Sequence, residues 1–511
     1  MVEASTTKAL FKCSQHCTAK HKPCSSVTSF NALNIATAAS LLPPVPILLP
    51  STSLVLQPTT KICPGLALAI VISSCAASVI ALPTPEECVK FLDSKEANKR
   101  EALIDELLES ELALKYMQMR WGDILRIKSE FPSNLWPNGV QAYNRWVYEQ
   151  LLHNVPYDKM VQQLLLSEGS NFRSPAANFY RGFQKKTPQN FYANINLLFL
   201  GNRSCADNGY LCFSQIKFKS TKEWKEEIIY LDFHKEVPWQ KISLADGTVL
   251  APKADSDWRE AYVAWLTSPK NRRFAEVLVN RMWYWVFGKG IVHEPDDWRE
   301  ENKPSNPQLL NELTDYFLKN NFDMRLLMKK ILLSKEFNSK ASPEGFYEPQ
   351  RLPAEVIVDA LASTTGIWST YSSRVPEPFT FYPQKTRATH LGDATVSSSE
   401  LELFGKVSRD VSLESQRNNA ITSRQLLFLM NSSVLERNIR MSPVLQRIYM
   451  QCHDVSQLAD AITLQVLSRR STPQEIALYE NHMQQNKLSL MELAVDIMWM
   501  QLNSNEFLYN H

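Results

Sequence analysis

From Thr84 onward the apolar residues fall mostly at helical spacing, every three to four positions, and only between residues 201 and 252 does the period drop toward two. The strongest signal is NRRFAEVLVNRMWYWVFG, a helix stopped by Gly288 and Gly290. On a helical wheel Phe274, Val277, Leu278, Arg281, Met282 and Trp285 share one face, while Val279, Trp283 and Phe287 lie roughly opposite. A helix that is apolar on nearly every side belongs inside a core. Arg281 therefore sits in the middle of an apolar face, where a guanidinium cannot shed its charge and must find an acid. The helix RLPAEVIVDAL offers Asp359, on a face with Leu352, Val356 and Ser363, with Glu355 beside it. Asp296 and Asp297 are the alternatives, reachable across the Gly288 turn.

The same periodicity places further helices. Thr84-Pro85-Glu86-Glu87 is a capped start with Pro at the first helical position, and Thr472-Pro473-Gln474-Glu475 repeats the pattern. Helical runs follow around Ala102 to Leu114, Tyr143 to Leu152 and KMVQQLLL, then SDWREAYVAWL, a helix closed by Gly366, and more helices from Thr422. Between residues 201 and 252, IIYLDF, WQKISL and TVLAP around Asp246-Gly247 read as short strands joined by a hairpin turn. Residues 367 to 410 carry Pro376, Pro378 and Pro383 with no clear period and form the longest irregular stretch downstream. LNSNEF near the C-terminus echoes LLSKEF at 332 to 337, as a shared way of ending a helix rather than a repeat. The fold class expected is mainly α, with a small β insertion around 205–252.

Upstream of Thr84 the chain changes character. Residues 1–60 are rich in Ser, Thr, Pro and Ala and read as low-complexity. Ile62 to Leu82 is a run of 21 uncharged residues, long enough to span a bilayer, with Lys61 before it and Glu86 and Glu87 after. Positive charge upstream keeps the N-terminal side in the cytoplasm and sends the bulk of the chain across. The run reads as an uncleaved anchor, an export signal on an upstream start, or a lipoprotein signal, since Ile72-Ser73-Ser74-Cys75 resembles a lipobox. Gly65, Ser73, Ser74 and Ser78 dilute its apolarity and weigh against a buried core helix. Five units result: 1–60 low-complexity, 61–83 signal or anchor, 84–204 a first helical domain, 205–255 a β-containing connector, and 256–511 a second helical domain.

With 511 residues and 44% apolar content, the chain can bury a sizeable core. Its 55 basic and 53 acidic residues balance to +2, with no basic stripe, so no nucleic-acid partner is expected. Most of the 12 tryptophans are expected in the core. Six of the nine cysteines precede residue 90, which is no disulfide framework. Cys13, His16, Cys17, His21 and Cys24 could bind a soft metal, but no apolar periodicity surrounds them to hold a site rigid, and no metal or cofactor is expected.

FAEVLVNRMWYWVFGKGIVHEPDDW, KPSNPQLLNELTDYFL, RLPAEVIVDAL and DIMWMQLNSNEFLYNH together resemble the second of two paired domains of unknown function found in planctomycete-type exported proteins. LIDELL, MRWGDIL, AYNRWVYEQLLHNVPYDKMVQQLL and NLLFLGNR resemble the first, a cytochrome-type domain. The likeness covers about residues 86 to 511 and brings no established activity. Many relatives follow FLG-x-R with Cys-x-x-Cys-His, whereas this chain reads FLGNRSCADNGYLCFSQIKF, with six residues between Cys205 and Cys212 and no His after. Covalent haem attachment needs two thiols two residues apart and an adjacent His, so no haem is expected. A later family pattern, Cys-Glu-Cys-Glu-Arg, appears without its thiols as Leu413-Glu414-Ser415-Gln416-Arg417.

The best candidate for chemistry is HEPDDWREE, where His293, Asp296 and Asp297, with Glu294, Glu300 and Glu301, could supply an acid and a base or bind a divalent metal. The same residues could equally cap the next helix and neutralise nearby cations. His153 and His390 stand among aromatic, Arg and Tyr neighbours and read as surface or packing residues. Two functions follow. The first is an exported or membrane-anchored helical scaffold or binding module, recognising an extracytoplasmic protein or glycan and touching the membrane through its N-terminal segment if that is uncleaved or lipidated. The alternative is a hydrolase acting on an extracellular polymer with acids of the 293–301 loop and Asp359. The loss of thiol motifs beside intact helical packing favours the first.

Overall fold

Side-chain capping chemistry sets the helix starts. Thr84, Thr472 and Ser489 each accept the N–H of a Glu three residues on, and that Glu accepts the cap's own N–H in return. The helices Pro85–Asp93 and Pro473–Asn486 begin as their Thr-Pro signals imply. A computed structural model describes residues 82–202, 207–222, 226–233, 241–253, 255–338, 350–373 and 381–510. The low-complexity segment, the Cys13 to Cys24 cluster, all of the apolar run but Leu82, and Cys205 lie outside the described residues. The described residues belong to one unit, Lys61–His511. They are mainly α-helical with small antiparallel sheets. None of the described helices is long and apolar enough to cross a membrane.

The central helix runs Arg272–Phe287, and Phe274, Val277, Leu278, Val279, Met282, Val286 and Phe287 are all buried, as an all-round apolar helix requires. Gly288 ends it in the left-handed region at φ 68°, its N–H bonded to the Tyr284 carbonyl. Around it Tyr157 stacks on Phe274 at 4.6 Å and Trp121 meets Trp285 edge-on at 6.0 Å. Trp121, Trp258, Trp283, Trp285 and Trp298 are buried, while Trp136, Trp146, Trp265, Trp368 and Trp499 stay half-buried, so indole rings serve the surface more than the composition implies.

Helix Glu111–Ile124 is the hinge of the packing. Leu114, Trp121 and Ile124 join a core that runs from Ile104 to Phe337, whereas Ala113, Tyr116 and Met119 join a second core built from residues 352 to 508. The apolar run around Ala102 to Leu114 is not one helix. Ser110 ends Lys99–Glu109 and caps Glu111–Ile124, its hydroxyl accepting from the Ala113 N–H, and this break turns the second helix between the cores.

The Asp246-Gly247 hairpin joins Ile242–Ser243 to Val249–Leu250, with Gly247 at φ 83°. The strand expected at IIYLDF does not pair with it. Glu227–Leu231 lies between Ile216–Ser220 and Gly169–Ser170 in an antiparallel sheet. A second unanticipated pair ties Gln350–Arg351 to Tyr509–Asn510 near the C-terminus. The LLSKEF and LNSNEF segments do share a helix ending: the hydroxyls of Ser334 and Ser504 each accept from the N–H of the Phe three residues on, both at 3.2 Å.

Candidate ligand-binding cleft

Buried charge marks the seam between the two cores. Arg281, fully buried, donates to Asp296 Oδ1 at 3.0 Å and to the Leu198 carbonyl at 2.8 Å, and its Nε lies 3.6 Å from Glu414 Oε1. Glu414 also accepts from Trp285 Nε1 at 2.7 Å and from Arg120 at 2.9 Å, and its own N–H donates to Asp296 Oδ2 at 2.6 Å. The reading of Arg281 as buried and acid-paired therefore holds, but Asp359 and Glu355 are not its partners. Helix Ala354–Thr365 carries both acids elsewhere. Glu355 pairs with Arg417 at 2.7 Å, while Asp359 accepts from the N–H groups of Ala388 and Thr389 and from the Thr389 hydroxyl.

A second knot joins the first through Glu111–Ile124 and the short turn Glu414–Gln416. Arg417 bridges Glu355 and Asp123, both at 2.7 Å, and Asp123 takes Arg409 on its other oxygen at 2.9 Å. Burial alone would raise Asp123, but Arg417 and Arg409 outweigh it and hold the carboxyl below its usual range. Burial likewise opposes the charge on Arg417, and Glu355 and Asp123 reverse the balance. Gly122 lets the guanidinium of Arg409 lie against the helix: a Cβ there would stand 2.9 Å from its Cζ.

These groups fix irregular backbone. Arg409 donates to the carbonyls of Gly392 at 2.8 Å and Ile127 at 3.2 Å. Lys406, which burial pushes down to about 8 against the pull of Glu355, donates to the carbonyls of Val396 and Ala394. Asp393 accepts from the N–H groups of Ser129 and Thr395. With Asp359 holding 388 and 389, the segment 388–396 is tied down by buried side chains along its length. Asp359→Ala is expected to strip two buried amides and a hydroxyl of their acceptor and cost about 1 to 3 kcal/mol in urea unfolding. Burial pushes the Asp359 carboxyl up to about 6 against its hydrogen bonds. A raised folded-state pKa gives stability that is complete below the unfolded value of about 4 and lost as pH rises through 6. The deficit of the variant is thus expected to be larger at pH 4.5 (~) than at pH 7 (~), and an unchanged midpoint at both would refute the clamp.

The clamped segment forms one wall of a cleft of about 340 Å³. Opposite stand residues of Glu111–Ile124 and Pro137–Leu152: Lys115, Gln118, Gln141, Asn144, Arg145 and Tyr148. Gln118 Nε2 donates to the Asn144 carbonyl at 2.5 Å, and the Asn144 side chain fills the space a Cβ on Gly392 would need. Tyr382, Phe381, His390 and Asp393 complete the far wall. Burial, then Lys115 and Arg387, push His390 down to about 4, which favours the neutral ring, and its Nε2 is enclosed without a hydrogen-bond partner among the described residues. Burial also lowers Lys115, whose Nζ lies over the Tyr148 ring at 4.1 Å.

The residues of the 293–301 loop are dispersed. Asp296 is turned inward onto Arg281, Asp297 pairs with exposed Arg299 at 2.6 Å within the loop, and the side chains of His293 and Glu294 lie at the surface 3.5 Å apart. None of these residues lines the 340 Å³ cleft. Among the described residues, no group of three or more His, Cys, Asp or Glu could hold a metal. Arg120 and Asp123 were legible in principle by the logic applied to Arg281, since MRWGDIL sets two charges three apart in an apolar helical run. The cleft residues carry no such signal, because polar side chains at helical spacing read as ordinary surface.

Residues 79–200 match the family model PSCyt2, described as a protein of unknown function (DUF1549), and residues 258–483 match PSD1, likewise a protein of unknown function (DUF1553). Neither curated proteins nor solved structures gave a match. The matches divide the cleft between them: Lys115 to Tyr148 fall in the first, Ser373 to Asp393 in the second. Arg120 and Asp123 likewise come from the first, and their buried partners Glu414, Arg409 and Arg417 from the second. The chain belongs to the proteins in which a DUF1549 domain is followed by a DUF1553 domain, both of unknown function.

Proposed function

We propose that this chain is an extracytoplasmic binding module, a helical scaffold without a catalytic step of its own, whose seat for a protein or glycan partner is the cleft between its two domains. One observation carries the reading: each domain supplies one wall, and buried ion pairs that cross the same seam hold the irregular wall in place. A site set on such a frame is preorganised, so little ordering entropy is lost on binding. Of the buried acids, Asp123, Asp296, Glu355 and Glu414 are engaged by guanidinium groups, and Asp359 and Asp393 are occupied by backbone amides, which leaves them poorly placed to exchange protons with a substrate. The export of the chain rests on the uncharged run from Ile62 to Leu82 with Lys61 upstream.

Tagged full-length chain, applied to an array of glycans and secreted proteins, is expected to retain a component that Gln141→Trp fails to retain. Gln141 is exposed on its helix, so the new indole fills the cleft at little cost to folding. Retention unaltered by Gln141→Trp would remove the cleft from the reading. Release of sugar reducing ends that vanishes in His293→Ala or Asp297→Asn would establish the hydrolase instead. A reporter fused after His511 that works only in the cytoplasm would defeat the export.

A further inference from the structure

Two chemistries sit in the one cleft. Lys115 presents a half-buried ammonium with no carboxylate in ion-pair range among the described residues, and it acts on His390, whose enclosed Nε2 lacks a partner. Arg145, by contrast, is already paired with Glu149 at 2.8 Å. Asp393 acts on Tyr382, which burial and that carboxylate push up to about 12. Of the Asp393 carboxylate, Oδ1 is the oxygen that receives the Ser129 and Thr395 amides. Gln118, Gln141 and Asn144 add amide groups that can both give and accept hydrogen bonds, and Phe381 holds an aromatic face 72% exposed at the rim.

Resting on the cleft as binding seat, we infer that its ligand is an acidic saccharide, a hydroxyl-bearing ring carrying one carboxylate or sulfate. The anionic group meets Lys115, on which Glu111 one turn back acts only from beyond ion-pair range, and accepts from the His390 ring once that ring gains a proton or turns its N–H toward it. Hydroxyls suit the amides and the Asp393 carboxylate, which would repel a second negative charge and so limits the ligand to one anion at this depth. The C–H faces of a sugar ring suit Phe381 and Tyr148, as apolar patches on an otherwise wet ligand. A volume of about 340 Å³ lies at the lower end of small-ligand sites, enough for one or two rings. A larger cleft of about 630 Å³ also carries cations, but there Lys128 is paired with Asp410 at 2.6 Å and Arg126 with Ser412 and Asn194 at 2.9 Å each. Its two half-buried cations thus already have partners within the fold, and its third, Lys185, stands exposed at the surface.

The test is calorimetric titration of the full chain with a galacturonate trimer, a sulfated galactose trimer and a neutral galactose trimer. One of the two anionic trimers is expected to bind on the order of tenfold more tightly than the neutral one, and the tighter of the two identifies carboxylate or sulfate. Lys115→Gln is expected to erase that difference while leaving the melting temperature in place. Phe381→Ala is expected to weaken all three trimers alike. Equal binding of anionic and neutral trimers, or an anionic preference that survives Lys115→Gln, would overturn the acidic ligand while the cleft remained the seat. Failure of all three trimers to bind would overturn the saccharide class, and the loss of array retention in Gln141→Trp would still report on the cleft.

Discussion

Arg281→Met is expected to lower the free energy of unfolding by about 3 to 5 kcal/mol, read as an earlier urea midpoint. Methionine keeps most of the volume and adds no polar atom, so the loss comes from charge. Without the guanidinium, Asp296 and Glu414 face each other in the interior with Arg120, among the described residues, as the one cation still paired to either. The Leu198 carbonyl also loses its donor, which loosens the tie between the central helix and helix Pro188–Leu200. A second substitution separates the two contributions. Asp296→Asn alone keeps the shape and removes one negative charge, so in the Arg281→Met background it is expected to recover part of the loss, a non-additive pair. A midpoint for Arg281→Met equal to that of the parent would mean that the buried charges do not need one another.

What the sequence disclosed follows from which physical rule was local. Helix starts were legible because Thr-Pro-x-Glu settles its own hydrogen bonds within four residues, as at Thr84 and Thr472. Gly288 and Gly366 were legible as helix ends because only a left-handed residue closes the turn there. Burial of Arg281 was legible as well, since its neighbours on the wheel are apolar. Its partner was not. Asp359 and Glu355 on one helix and Asp296 and Asp297 across the Gly288 turn all lay within reach by sequence, and the choice among them depended on how helix Ala354–Thr365 sits, a long-range fact that periodicity does not contain. Asp359 was forced inward as expected, but it met the backbone of 388 and 389 rather than a guanidinium.

Glu414 and Arg417 teach a related lesson. LESQR reads as a pattern that has lost its thiols, yet the two charged positions are what the fold uses, one in each buried knot. Loss of the cysteines therefore says little about the structural role of the segment. The strand Ile216–Ser220 carried an alternation of its own, with Ile216 and Phe218 turned in and Lys217 and Lys219 between them, but its pairing with Glu227–Leu231 is a matter of register across a turn. The cleft was the least legible feature. It is made where residues more than two hundred positions apart meet, and the polar groups that line it look like any solvated helix face until the opposite wall is in place.

Arg417→Met is expected to change both the level and the pH dependence of stability. In the parent, burial works against Asp123 and Glu355, but Arg417, with Arg409 on Asp123, holds both carboxyls below their ordinary range. A depressed folded-state pKa gives stability that is present above the unfolded value of about 4 and lost as pH falls through the folded value. The share of the parent's stability set by these two carboxyls should accordingly hold down to about pH 4 and weaken only in stronger acid. Methionine at 417 leaves Glu355 buried without its guanidinium, while Asp123 keeps Arg409. Near neutral pH this should cost about 3 to 5 kcal/mol. Burial now prevails at Glu355 and raises its carboxyl, so the folded variant takes up a proton at a higher pH than the unfolded chain does. The sign then reverses: the variant should gain stability relative to the parent as pH falls from 7 (~) toward the carboxylate range. Glu355→Gln in the same background supplies the neutral form permanently and should flatten that slope. Urea unfolding of the three chains across this range decides the matter, and parallel pH curves for Arg417→Met and the parent would show that Arg417 does not set the ionisation of the acids it touches.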